Sequence, residues 1–280
     1  MINQRTVLDY LVLTAKWMFL SFFLFVTFMP LFWLVISSFK TNFEFQTQPF
    51  GFPAVWQFQN YVRAVEVSQF HLLFFNSVFV ALGATALNII VASMAAFVLS
   101  REQFRHRNTI LNIMVAGVLV PIISLMVPYF RIIRTLDLHD SLFALVLVYG
   151  SVNIPISVFL IHGFMTGIPK ELEESASMDG CTFVQRYTKI IFPLSRMGLV
   201  TAGTFVFLYS WNEFIYALLL TSSISARTLQ LGIRFFRSQF LTDFTSMYAA
   251  IVLTIIPSIM VYMFFHEKII QGLTSGAVKG

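Results

Sequence analysis

The residues best placed to do chemistry stand in two short stretches of this 280-residue chain. Glu171, Glu173 and Glu174 open a polar run that passes through Leu172, Ser175, Ala176, Ser177 and Asp179 to Gly180, between two long apolar segments. Pro169 can start a helix, and three carboxylates in its first turns meet the positive end of the backbone dipole, where negative charge is favoured. Leu172 and Ala176 then share one face, Ser175 and Asp179 a neighbouring one. Gly180 is the natural break, because glycine relieves a tight turn and disfavours continuation. Phe183, Tyr187 and Ile190 recur at near-helical spacing, and Pro193 marks the return to apolar sequence. The chemistry open to a short helix, a bend and a second helix is recognition. It is either a lever gripped by a partner or an amphipathic connector resting on lipid headgroups.

The second stretch is Tyr209, Trp211, Asn212 and Glu213 inside an otherwise apolar run. An ionisable group there is costly and turns toward a cavity or a partner, so Glu213 either lines a polar path or locks two helices together. Asn153 and His162 raise the same question in the preceding run. No grouping of His, Cys, Asp and Glu has metal-ligand spacing, and the chain lacks a Gly-x-x-x-x-Gly-Lys-Ser/Thr phosphate loop. We expect no catalytic residue, no bound metal and no cofactor in this chain.

The elements that carry these residues are set by composition. Hydrophobic residues make up 58% of the sequence and charged residues 11%, against about 45–50% and 25% in a soluble domain. Six charge-poor runs reach the roughly 20 residues that a helix needs to cross a bilayer: Trp17 to Phe39, Leu72 to Ser100, Asn108 to Phe130, Ser141 to Ile161, Met197 to Thr221 and Phe244 to Phe265. The expectation is an all-α, polytopic membrane protein of six transmembrane helices, one domain over 1–280, with the loop 162–196 on the cytoplasmic side. The first run is longer than a signal-peptide core and lacks a clear cleavage pattern, so it reads as a retained anchor. The single Cys181 permits no internal disulfide. With six spans and the N-terminus inside, eleven Lys and Arg fall on the cytoplasmic side and seven outside. That bias favours cytoplasmic termini. The cations punctuate span ends and form no helix face suited to nucleic acid. Outside the membrane, residues 40–71 carry Phe43, Phe45, Phe50, Phe52, Trp56, Phe58 and Tyr61, aromatic side chains that suit the interface. Residues 222–246 are long enough to enter a partner's cleft or to cover the bundle.

Glu174, Ala176, Gly180, Ile190 and Pro193 also fit a longer pattern. It is an acid, two small residues, a glycine six positions after the acid, an isoleucine ten further on, then a leucine-proline pair; Ser175 and Phe192 depart from it conservatively. This segment resembles the loop by which the membrane subunits of binding-protein-dependent, ATP-driven importers engage a separate ATPase. Ile36-Ser37-Ser38-Phe39-Lys40, Ser210-Trp211-Asn212-Glu213-Phe214 and the tail Gly272 to Gly280 are similar to the second permease of carbohydrate importers of the maltose type. Met197 and Ala217-Leu218 depart where that family often has proline.

The resemblance implies a permease subunit in a bacterial cell membrane that moves a sugar or oligosaccharide by alternating access. It implies a homologous first permease, two ATPase subunits that bind ATP and Mg2+, and an extracellular or periplasmic sugar-binding protein. Glu171, Glu174, Ser175, Ala176, Asp179, Gly180, Ile190 and Pro193 would couple to the ATPase. Asn153, His162, Tyr209, Trp211, Asn212 and Glu213 would serve as pathway or structural polar contacts. Gly276 and Lys279 lie in a tail that would reach the ATPases. The alternative is an importer of the same build for a non-sugar solute, such as a polyol or a glycerol-phosphate-like compound. A secondary carrier would show inverted repeats and matched broken spans, and no convincing repeat is present.

Overall fold

The computed structural model describes residues 7–67, 69–236 and 242–277. These fall into two compact units, Met1–Ser68 with Ile233–Leu253 and Gln69–Gly232 with Thr254–Gly280.

The first unit holds α1 (Val7–Ser38), α2 (Asn42–Thr47), α3 (Gln59–Val67) and the first turns of α15 (Phe244–Ala277). α1 is already helical before the Trp17 that the sequence suggested as the start of the first span. Lys16 is the cause of that difference: a long cationic side chain can stay in an apolar helix by extending its charge toward water. Beyond α1, the buried Lys40 folds the chain back. Its Nζ donates to the carbonyls of Gln48 and Pro49, each at 2.9 Å, which places a cation at the negative end of α2. Burial pushes the Lys40 ammonium below its ordinary pKa, and the nearby Glu44 opposes the shift. Asn60 donates from Nδ2 to Ser38 O and Lys40 O, each at 2.8 Å. Phe43, Phe50, Phe52 and Phe58 stay exposed, as aromatic residues at a membrane interface do. At the start of α15, burial raises the Asp243 carboxyl, but donors on Asn42 and Ser246 together with Arg63 outweigh it and hold the group below its usual range.

The second unit is built around α4 (Phe70–Arg101), which packs along α7 (Leu142–Val152), α8 (Ile154–Thr166) and α12 (Arg196–Asn212). Small residues make the close approach possible. Ala81, Ala84, Ala92 and Ala96 are buried on α4, and Asn88 donates from Nδ2 to Gly150 O at 2.7 Å. At Gly198 the fit is tightest, since a Cβ there would stand 2.7 Å from the Phe164 ring and 2.9 Å from Phe164 Cβ. Gly198→Ala therefore forces α12 away from α8, and overpacking of this kind costs about 1–3 kcal/mol. The expected result is a lower thermal midpoint of the detergent-purified protein, relieved by adding Phe164→Leu.

Among the described residues, three helices are each long and apolar enough to cross a bilayer: Asp9–Ser38 in α1, α4, and Phe244–Ile270 in α15. The other apolar runs are bent or interrupted, so the six helical spans expected from sequence are not six unbroken helices. The run Asn108 to Phe130 is divided into α5 (Arg107–Gly117) and, after a 3-10 turn at Ile122–Leu125, α6 (Met126–Thr135), with a bend of 99°. Pro121 explains the break: it lacks an N–H and disfavours helical backbone at the residue before it. The run Ser141 to Ile161 bends by 50° between α7 and α8, where Pro155 removes the N–H that would have bonded Ser151 O. A third bend of 76° lies at Ser195. It separates α12 from α10 (Phe183–Gln185), the π turn Arg186–Ile191 and α11 (Phe192–Leu194). The expected run Met197 to Thr221 is itself interrupted after Asn212, and α13 (Ile215–Leu220) follows. With each bent pair counted as one span, the number is six. The second unit also holds α9 (Glu171–Met178) and α14 (Leu229–Gly232).

Candidate functional site

The loop between α8 and α12 has the shape its residues called for. Glu171, Glu173 and Glu174 occupy the first turn of α9, and Asp179 follows the last. Gly180 adopts φ +83°, with open space where a Cβ would stand, so glycine is required there by backbone conformation and not by crowding. The turn closes through Cys181 N donating to Ala176 O at 2.9 Å. Thr182 then caps α10 in a reciprocal capping box with Gln185. Glu171, Glu174, Ser175 and Asp179 face outward, and Met178 is 90% exposed. Ala176 is buried, Ile190 packs into the core shared by α4, α8 and α12, and Pro193 is exposed in α11.

The residue that fastens this loop is one that sequence reasoning passed over. Glu173 is buried, and its Oε1 lies 2.9 Å from Arg101 Nε at the end of α4. Its Oε2 lies 3.6 Å from Arg186 Nη1 on the π turn. Arg101 also donates from Nη2 to Met165 O and to Ile168 O, the latter at 2.9 Å, and so closes the end of α8. Arg186 reaches on to Glu102 Oε1 at 3.2 Å. Tyr187 Oη meets Ser93 Oγ at 2.7 Å, and the rings of Phe183 and Tyr187 pack on Phe97. One ion-pair cluster thus joins α4, α8, α9 and the π turn. A polar cavity of about 340 Å³ lies over it, lined by Arg101, Lys170, Glu173, Glu174, Ser177 and Arg186. The available signal was Arg101 itself, a cation closing a 32-residue apolar helix and needing a partner.

A second polar junction forms where the helices break. Glu213 stands in the gap between α12 and α13, and its carboxylate accepts from Tyr149 Oη at 2.7 Å. It also accepts from the backbone N–H of Tyr216 at 2.9 Å and of Ala217 at 3.2 Å. Tyr216 Oη donates to Ile122 O at 2.7 Å, which ties α13 to the break before α6. Asn153, at the α7–α8 break, donates from Nδ2 to Tyr149 O at 2.9 Å. Ser151 Oγ lies 3.1 Å from Tyr129 Oη on α6, and Tyr149 packs edge-on against Tyr209. The structure thereby gathers Asn153, Tyr209 and Glu213 and adds Tyr129, Tyr149, Ser151 and Tyr216.

The other expected members lie elsewhere. Trp211 is buried and donates from Nε1 to Thr254 O on α15 at 3.1 Å. Asn212 is exposed and bonds back to Leu208 O. His162 stands nine residues beyond Asn153 on α8, about 13 Å along the axis. Gly276 lies near the end of α15, and Lys279 falls outside the described residues. Among the described residues no group of three or more His, Cys, Asp or Glu is arranged to hold a metal.

A turn on the far side of α7 is braced separately. Asp140 accepts from the N–H groups of Ser222 and Ser223 at 2.7 and 2.9 Å. Burial raises its carboxyl, and these donors outweigh the effect and hold it below its ordinary pKa. On α4, Asn76 donates to the carbonyls of Ser225 and Arg227, and Ser77 accepts from Leu229 N. Residues 221–229 are accordingly pinned to the bundle.

Comparison with known proteins places this geometry. A family profile described as "Binding-protein-dependent transport system inner membrane component" matches residues 88–275. The sulfoquinovosyl glycerol transport system permease protein SmoH of Agrobacterium fabrum is 36% identical, over 90% of this chain and 88% of that one. The trehalose transport system permease protein SugB of Mycobacterium tuberculosis is 33% identical, over 90% and 92%. A chain in the crystal structure of a bacterial ABC transporter importing the acidic polysaccharide alginate superposes with a TM-score of 0.83, covering 94% of this chain and 98% of that one at 21% identity. The last likeness is one of fold.

Proposed function

We propose a role for a chain that belongs to the family of binding-protein-dependent transport system inner membrane components: it is the membrane permease subunit of an ATP-driven importer of a sugar or oligosaccharide. The observation that carries this reading is the end-to-end match to permeases of sugar import systems, spanning 90% of the chain at 36 and 33% identity. The chain is a multi-pass membrane protein and supplies passage, with no catalytic group of its own. In our reading the whole chain acts as one permease domain of six spans, with α5–α6 and α7–α8 each crossing once, the fifth span running from Met197 to Thr221, and both termini in the bacterial cytoplasm. A homologous first permease shares the pathway. Two ATPase subunits bind ATP and Mg2+ on the cytoplasmic side, and a sugar-binding protein delivers cargo outside.

The loop carrying α9 is the coupling element. Glu171, Glu174, Ser175 and Asp179, with the exposed Met178 and Leu172, form the surface that enters a cleft of the ATPase. The Arg101–Glu173–Arg186 cluster passes its displacement to α4 and α8. Closure of the ATPase pair on ATP then moves α9, and the spans exchange an inward opening for an outward one. The tail from Gln271 to Gly280 makes a second ATPase contact.

Crosslinking tests the docking. With Cys181→Ser removing the native thiol, Met178→Cys is expected to form an adduct with the co-purified ATPase, and ATP is expected to change its yield. Failure of position 178 to crosslink in a transport-active complex, while a thiol at Phe143 likewise fails, sinks the docking assignment. Uptake of a labelled sugar by the same proteoliposomes, dependent on ATP and on the binding protein, tests the transport reading itself.

A further inference from the structure

Two interrupted helices meet at a cavity that the coupling reading does not use. It occupies about 270 Å³ where the α5–α6 and α7–α8 breaks adjoin, and Gly117, Val118, Tyr129, Ser151, Asn153 and Pro155 are among its walls. Irregular backbone at membrane depth is tolerated where it is buried in protein or lines a cavity, and both breaks border this one. Its volume lies just under the roughly 300–1,000 Å³ of small-molecule pockets, which suits one ring.

The walls are chemically specific. Tyr129 Oη and Ser151 Oγ lie 3.1 Å apart. The Asn153 amide is held in place by its Nδ2 bond to Tyr149 O, which leaves Oδ1 as an acceptor. The remaining walls are apolar, Pro155 and Val118 among them, and among the described residues no charged side chain lines the cavity. The Glu213 carboxylate is already occupied by Tyr149 and the α13 amides. Neutral donors and acceptors on one side and apolar walls on the other match a pyranose, whose hydroxyl rim surrounds C–H faces. An anionic ring would find no counter-charge.

We propose that this cavity is a subsite for one neutral hexopyranose ring of the cargo, held by Tyr129, Ser151 and Asn153 of this subunit during transit. The inference rests on the sugar-importer reading and deepens it. A buried polar site rejects ligands that leave its groups unpaired, so selection against charged sugars is set here as well as by the binding protein.

The test uses the complete transporter in proteoliposomes, with Cys181→Ser as background and Ser151→Cys as reporter. Methyl α-D-glucoside, trehalose and maltose are the neutral probes and D-glucuronate the charged one. Neutral probes are expected to slow methanethiosulfonate labelling of the introduced thiol several-fold, and glucuronate to leave it unchanged. Asn153→Leu is expected to raise the KM for uptake of whichever neutral sugar is carried about tenfold, the equivalent of one lost hydrogen bond, while Vmax changes less than twofold. Should Ser151→Cys fail to assemble, Tyr129→Phe read by the same KM-against-Vmax split decides. Equal labelling with and without every probe, or an unchanged KM in Asn153→Leu, overturns the subsite while uptake itself upholds the importer. A complex that carries none of the sugars overturns the importer reading instead.

Discussion

Arg101→Met is expected to abolish coupled uptake and to lower the thermal midpoint of the purified complex more than any exposed substitution on α9. Arg101 is buried against Glu173 at 2.9 Å, and its removal leaves that carboxylate with Arg186 at 3.6 Å as its remaining ion-pair partner. Breaking a buried pair by deleting one member costs roughly 3–5 kcal/mol where the remaining charge is uncompensated, and the longer Arg186 contact offsets only part of that here. The carbonyls of Met165 and Ile168 lose the Arg101 guanidinium as well, so the end of α8 loosens together with α9. Arg101→Lys keeps the charge but not the planar fork that reaches Glu173 and α8 at once, and an intermediate loss follows. The double variant Arg101→Met/Glu173→Met should recover part of the stability, since an apolar pair can replace a buried ion pair. Uptake rate, ATP hydrolysed per sugar and thermal midpoint together separate a joint from a merely local support. Uncoupled ATP hydrolysis with normal assembly marks a joint. Wild-type uptake and stability in Arg101→Met would dispose of the cluster as a coupling element.

How much of this could be read beforehand depends on the range of the interactions. Gly180 was legible because a positive φ at the end of a helix selects glycine locally, and Gly180 adopts φ +83°. The long apolar helices α1 and α4 were legible from hydropathy. The bends were not, although Pro121 and Pro155 stood in plain view, because apolar composition continues across them and a run of hydropathy carries no angle. Glu213 looked like a charge within a span for the same reason: Phe214 and Ile215 keep the run apolar while the helix stops at Asn212. Glu173 escaped because its partner Arg101 is 72 residues away, and three neighbouring glutamates differ only in which one the fold turns inward. Tyr129, Tyr149 and Tyr216 were indistinguishable from packing aromatics until their hydroxyls had hydrogen-bond partners.

Glu213→Leu carries the other large expected effect, and here graded substitutions identify what the carboxylate does. Leucine satisfies the apolar surroundings but leaves the Tyr149 hydroxyl and the N–H groups of Tyr216 and Ala217 without the acceptor they now share. Each buried polar group left unpaired costs about 1–3 kcal/mol, enough in sum to consume much of a typical protein's stability of roughly 5–15 kcal/mol. The expected result is a complex that fails to accumulate, with any assembled fraction inactive. Glu213→Gln retains one acceptor oxygen and loses the charge, so it should assemble with reduced uptake. Tyr149→Phe deletes a single bond to a charged group, worth about 1.5–3 kcal/mol, and should fall between the two in stability. A carboxylate needed only for its charge toward cargo would give another order, with Gln as inactive as Leu and Tyr149→Phe close to wild type. Membrane yield, thermal midpoint and uptake measured on the three variants distinguish the orders, and normal assembly and uptake in Glu213→Leu would remove both roles. The geometry favours the first order, because the carboxylate spans the one gap where α12 ends and α13 begins. A group that stitches a broken helix must act on assembly before it can act on transport.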